Sequence, residues 1–254
     1  MSSMSPSSRS GSPREGGWLD TLEQTALIVA PFSVLVGSLM AVVLFVVAVL
    51  AIWPESVSII WASAWGETPK AFWYLSRASS FVAFGLITAS MLLGLGITNK
   101  ATRAWPGGPT YVALHEHTSL LGLAFGLVHA LALLGDQYIG YTLGQILMPF
   151  ASGEYRPFWV GLGQTALWLI APITLSYYVR RMIGQRTWRL MHYLTFGVFG
   201  LVLVHGLLSG TDTVLAPIRM VYWLAAVIVV GLTMYRALVA VLKRADPPTP
   251  SRTR

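Results

Sequence analysis

Six stretches of this chain are long and apolar enough to cross a lipid bilayer, and a bilayer tolerates few folds. They run roughly over 26–53, 72–98, 112–134, 158–179, 188–209 and 217–241. About twenty apolar residues, each rising 1.5 Å in a helix, cross a hydrocarbon core of about 30 Å. Inside that core every backbone N–H and C=O must be paired within the protein, which a helix does by itself. The expected fold is therefore all-α: a polytopic membrane protein with a bundle of six transmembrane helices. Composition agrees, since only 11% of residues are charged against about 25% in soluble domains.

The basic residues set the orientation. Arg9, Arg14, Lys100, Arg103, Arg180, Arg181, Arg186, Arg189, Lys243 and Arg244 fall on one side of the six spans. The opposite loops carry Glu55, Glu67, Lys70, Asp136, Glu154, Arg156 and Asp212. Positive charge is retained on the cytoplasmic side, so both termini are expected there. Trp53, Trp61, Trp65, Trp73, Tyr74, Tyr138, Tyr141 and Trp159 cluster at the other set of ends, as an aromatic belt would. The net charge of +7 thus reads as membrane topology, not as a nucleic-acid surface. A multi-pass protein of a bacterial inner membrane, surrounded by lipid, is the expected setting.

Residues 1–17, rich in Ser, Pro and Gly, and residues 245–254, with three prolines, are expected to be disordered cytoplasmic tails flanking a membrane domain over 18–244. The first tail is too polar to serve as a signal peptide, so no cleavage is expected. No GxGxxG follows a strand, so a flavin or nicotinamide domain is expected only on a partner chain.

Four histidines lie within these apolar spans in two matched pairs. His115 and His129 are fourteen residues apart on the third span; His192 and His205 are thirteen apart on the fifth. Histidine is costly in hydrocarbon and normally faces a partner or a cavity. The third and fifth spans run parallel, so His115 is level with His192 and His129 with His205. The two levels are about 20 Å apart by helix rise. Two helices that each present imidazole at two depths can clamp two flat cofactors, one above the other, as two bis-histidine hemes. The chain has no cysteine, which excludes thiolate ligation and covalent heme attachment. The expected cofactors are two non-covalent b hemes, with quinone as a further candidate. The alternative for a single such histidine is an interhelical hydrogen bond. Four at matched depth are harder to explain that way.

One detail resists the pattern. Fourteen residues leave two side chains within about 40° around a helix, but thirteen leave them well over 100° apart. Rotamer choice, tilt or distortion near Gly197 and Gly200 must reconcile His192 and His205. His117, two residues from His115, points to another face; it is a candidate contact for propionate, proton or quinone and a competitor for the ligand role. Asp136 and Asp212 each follow a histidine by seven residues, either as solvated loop acids or as a docking or cation site. Glycines 122, 126, 197, 200 and 206 suit close approach beside flat rings or ordinary helix packing. Arg77 lies inside the second span near its extracytoplasmic end, either meeting a heme propionate or snorkelling to water. Arg186 and Arg189 abut His192 and are candidates for the propionates of the inner heme.

The stretches LHEHTSLLGLAFGLVH, YRPFWVGLGQTALWLIAPITLSYYVRRMIGQRTWRLMHYL and LVLVHGLLSGTDT resemble the ferric-reductase-like transmembrane domain. That superfamily includes the membrane cores of NADPH oxidases and ferric reductases. It also includes the heme subunit of the bacterial periplasmic methionine sulfoxide reductase system. The resemblance covers about 72–241. It implies that His115 and His192 bind an inner heme b and His129 and His205 an outer one, with Arg77 matching a family arginine near the outer heme. Oxygen-reducing members place another histidine one turn beyond the outer ligand; here that residue is Leu133, which argues against superoxide production. The match is nearer to stand-alone bacterial members.

The implied function is electron transfer from a cytoplasmic flavoprotein, carrying its own FAD, or from membrane quinol, to an extracytoplasmic acceptor or protein. Enzyme activity would then be that of an electron-transfer subunit of an oxidoreductase. The alternative is an accessory or structural subunit of a larger redox complex. A transporter ranks last, since the spans show no discontinuity.

Overall fold

The computed structural model describes residues 36, 40, 58, 61–63, 65, 66, 70–99, 107–153 and 155–245. The chain divides into two units, Met1–Val43 and Leu44–Arg254. In the first, Val36 and Met40 alone are described, both helical. All elements below belong to the second. The expected first span and the two tails lie outside the described residues, apart from Val36, Met40 and Ala245, as do Arg9, Arg14, Trp53, Glu55, Glu67, Lys100, Arg103 and Glu154.

Seven helices are present among the described residues: α1 (Ala71–Thr98), α2 (Gly108–Ala132), α3 (Leu143–Leu147), α4 (Pro157–Ser176), α5 (Arg180–Ile183), α6 (Gln185–Ser209) and α7 (Ala216–Ala245). Short 3-10 turns at Leu133–Gly135 and Asp212–Val214 follow α2 and precede α7. Five helices, α1, α2, α4, α6 and α7, are long and apolar enough to cross a membrane, as an integral membrane protein requires. Their bounds fall within a few residues of the last five expected spans. No strand occurs among the described residues.

Local sequence explains where the helices begin. Pro109 sits in the first turn of α2 and Pro157 opens α4, positions where a missing N–H costs nothing. Gly184, at φ +83°, ends α5 and caps the start of α6; that left-handed backbone lets the chain reverse with almost no connector. The short α3 was not foreseen. It is fixed by a capping box in which Thr142 and Gln145 bond each other's backbone N–H groups. Pro172 lies inside α4, close to its end.

Helix α1 packs along α2, and α4 along α6; α2 also meets α4, while α1 meets α6 and α7. Successive spans joined by short connections run antiparallel, so α2 and α6 are parallel. One buried cluster joins Phe84 and Leu95 of α1, Phe199 of α6 and Tyr222, Ala225 and Val229 of α7. Another joins Ala166 and Ile173 of α4 to Val198 of α6. Large apolar side chains on α7, such as Trp223, Val227 and Leu238, stay exposed, the condition of a helix facing lipid. Tyr141 departs from the aromatic belt. It is buried, and its phenol accepts a 2.9 Å hydrogen bond from Ser152, because α3 and its flanking loop fold over it.

Candidate functional site

Parallel α2 and α6 bring the four histidines together in the expected pairs. The ring centres of His115 and His192 are 5.9 Å apart, and those of His129 and His205 are 6.2 Å apart. The imidazole planes cross at 79° and 66°. A metal atom bound by two opposed imidazoles would set ring centres about 6.2 Å apart. That follows from bonds of about 2.0 Å and about 1.1 Å from nitrogen to ring centre. Both pairs therefore have room for one metal atom between their rings. Among the described residues no cluster of three or more His, Cys, Asp or Glu side chains could hold a bare metal ion. Two opposed imidazoles are the axial set of a metal whose equatorial positions are filled by a macrocycle.

The orientation of the rings is set from outside the pairs. His129 Nδ1 donates to the Ser76 carbonyl at 2.8 Å, and His115 Nδ1 donates to the Ser90 carbonyl at 2.8 Å. His205 Nδ1 donates to the Trp159 carbonyl at 2.9 Å. A carbonyl has no proton to give, so the proton sits on Nδ1 and the Nε2 lone pair is left free. This is how ligand histidines are usually held. The serine hydroxyls lie against the same nitrogens, at 3.0 Å for Ser76 and 3.1 Å for Ser90.

These serines were missed in the sequence, yet it carried a signal. Ser76 and Ser90 are fourteen residues apart, like His115 and His129. Because α1 and α2 are antiparallel, Ser76 meets His129 and Ser90 meets His115, and the residue numbers of each contact sum to the same value.

Two glycines were also missed. A Cβ on Gly163 of α4 would stand 2.5 Å from His205 Nδ1, and one on Gly94 of α1 would stand 3.2 Å from His115 Cε1. Each glycine is the floor on which an imidazole lies. Of the glycines singled out from the sequence, Gly122, Gly126 and Gly206 line the cavity beside the second pair. Gly122 admits Ile87 of α1 and Gly206 admits Tyr222 of α7, while Gly197 and Gly200 face open space. Helix α6 stays regular through Gly197 and Gly200, so distortion does not reconcile its two histidines. They lean on different supports: His205 on α4, and His192 on Trp188 of its own helix, stacked at 5.2 Å and 24°.

The second pair opens into a cavity of about 270 Å³ lined mainly by α1, α2, α4 and α6. Phe84, Leu123, Ile170 and Val202 give it an apolar lining, and Arg77 and Asp212 also line it. Arg77 Nε donates to Asp212 Oδ2 at 2.7 Å, and its Nη2 engages Oδ1. The guanidinium also lies 3.9 Å over the Trp73 ring. Arg77 thus neither reaches freely for water nor stands uncompensated.

Asp136 and Asp212 do not act as equivalents. Asp136 is buried, accepts the Tyr138 N–H at 2.9 Å, and leaves its second oxygen without a partner. His117 is exposed, away from both pairs. Arg186 and Arg189 are exposed too. Arg189 bonds only the Gln185 carbonyl of its own helix, at 3.3 Å. Neither arginine meets His192. A contact not anticipated lies nearby: the Tyr178 phenol donates to Glu116 at 2.8 Å, tying α2 to the turn after α4. Comparison with protein-family models, curated proteins and solved structures returns no match for this chain.

Proposed function

We propose that this chain is a transmembrane electron-transfer cytochrome b of the ferric-reductase-like kind, holding two non-covalent b hemes at two depths. The observation that carries this reading is the pair of ring separations, 5.9 and 6.2 Å, repeated at two levels on the same two helices. A single interhelical hydrogen bond would not need that repetition, and it would not free Nε2 on His115, His129 and His205 alike. When bound, heme supplies a one-electron iron couple in each layer of the membrane.

The chain's own residues supply the rest. His115 and His192 hold the first heme, His129 and His205 the second, and the Ser76, Ser90 and Trp159 carbonyls keep three of these imidazoles in the ligating tautomer. The apolar cavity excludes water from the second site, and the ion pair of Arg77 with Asp212 sets the charge at its edge. The reading places six helices in a bacterial inner membrane with both termini in the cytoplasm, so that the first pair faces the cytoplasm and the second the outside. Arg180, Arg181, Arg186 and Arg189, all at one end of the described helices, support that orientation. A cytoplasmic flavoprotein or membrane quinol then serves as donor, and an extracytoplasmic molecule or protein as acceptor.

The test is the heme content of the purified full-length protein, with reduced-minus-oxidised spectra. Two hemes per chain, all extracted by acid–acetone, are expected. No heme, or one per chain with His115 or His192 unliganded, would overturn the two-site reading.

A further inference from the structure

Three of the four imidazoles share one device, a backbone carbonyl on Nδ1, and His192 lacks it. Among the described residues no hydrogen bond reaches the His192 imidazole; Thr195 bonds only its backbone carbonyl, at 2.7 Å. What His192 has is Trp188, one turn earlier on α6, whose indole stacks on the imidazole at 5.2 Å. The Trp188 Nε1–H is buried and has no acceptor among the described residues. A buried donor without a partner costs about 1–3 kcal/mol, and such groups are normally paired with something. The same ring is followed by Tyr177 at 6.4 Å, and Tyr177 carries the Arg180 guanidinium 3.9 Å over its face. A row of Arg180, Tyr177, Trp188 and His192 therefore leads from the basic end of the bundle to the first pair. Arg186 and Arg189 are exposed.

We propose that Trp188 is the positioning residue for His192 and that its indole N–H is the hydrogen-bond donor to a carboxylate of the flat cofactor held by the first pair. The inference rests on the heme reading above. It explains two observations together: why His192 needs no carbonyl, and why a buried N–H finds no acceptor among the described residues. The ring face fixes the imidazole by stacking, as an aromatic pair does. The ring edge offers the donor that the exposed arginines do not.

Two variants of the full-length protein separate the roles. Trp188→Phe keeps a stacking ring and removes the N–H; Trp188→Leu removes both. The readouts are the rate at which heme passes to excess apomyoglobin and the low-spin EPR signals of the two ferric centres, assigned through His129→Ala. Trp188→Phe is expected to lose the first-pair heme about tenfold faster, the scale of one hydrogen bond to a charged group, with its EPR signal unchanged. Trp188→Leu is expected to lose it faster and also to shift or broaden that signal, with the second-pair signal intact as a control on folding. Should Trp188→Leu lose both signals, Trp188→Phe decides alone. Wild-type protein without heme would end both readings. Wild-type protein with two hemes and unchanged Trp188→Phe transfer, or a change confined to the second-pair heme, would end this one alone.

Discussion

The two histidine pairs are nearly the same across the metal position and quite different behind it. At the second pair, both imidazoles are tied to carbonyls on other helices: His129 to α1 and His205 to α4. The pair faces a largely apolar cavity with an ion pair in its lining. At the first pair, one imidazole is tied to α1 and the other rests on its own helix. The second site is thus fixed by the packing of four helices, the first by three. Ligand geometry alone does not show how firmly a centre is held. The residues one contact further out do.

The sharpest way to break this comparison is to remove ligands one at a time. His129→Ala or His205→Ala should abolish one heme and leave the other, as His115→Ala or His192→Ala should for its partner centre. Heme per chain and the remaining spectrum read the result. Loss of both centres from any single change would mean that the sites are not separate. Next in size is the glycine floor. Gly163→Ala should displace His205, since its Cβ would meet the ring at 2.5 Å, and should remove most of the second heme. Gly94→Ala, with 3.2 Å available, should reduce occupancy of the first only slightly. Equal losses would show that the two sites are equally yielding.

The four histidines were legible because their chemistry is rare in hydrocarbon and their spacing follows helix rise. The five described spans were legible for the same reason, since bilayer thickness fixes length. What stands behind the histidines was not. Ser76 and Ser90 look like ordinary small residues of a membrane helix, and only the antiparallel register turns them into acceptors. Gly163 carries no mark until His205 is known to lie on it. Arg186 and Arg189 were singled out for their closeness in sequence to His192; both are exposed, and closeness in sequence does not fix the direction in which a helix throws its side chains. Asp136 and Asp212 stand at like positions after their histidines, but the loops that receive them differ, and loops are set by tertiary contact.

A smaller effect concerns charge at the second site. Arg77→Gln leaves the Asp212 carboxylate unpaired beside that heme, which disfavours the reduced state with its extra electron. Its potential should fall by tens of millivolts, where about 59 mV is a tenfold change for one electron. Asp212→Asn should raise it, and the double variant should return close to wild type. The other heme, roughly 20 Å away along α2, should barely move in redox titration. A shift confined to that other heme would show that Arg77 acts at the wrong end for the topology drawn here. The smallest change of all is expected from His117→Ala, which should retain both hemes; loss of the first would transfer the ligand role from His115 to His117.

The matched interval of Ser76 to Ser90 against His115 to His129 has a consequence for how such a chain can vary. Both helices are cut to one gauge, and the gauge is read twice. A residue inserted in α1 between the two serines would leave one contact in register and carry the other about 1.5 Å and 100° out of place. The same insertion in α2 would do likewise. Only a matching change in both helices would keep both contacts, and α6 would still hold its histidines at the old separation. The distance between the two centres is thus written into three helices at once, and point substitution can tune either centre far more readily than insertion or deletion can move them apart.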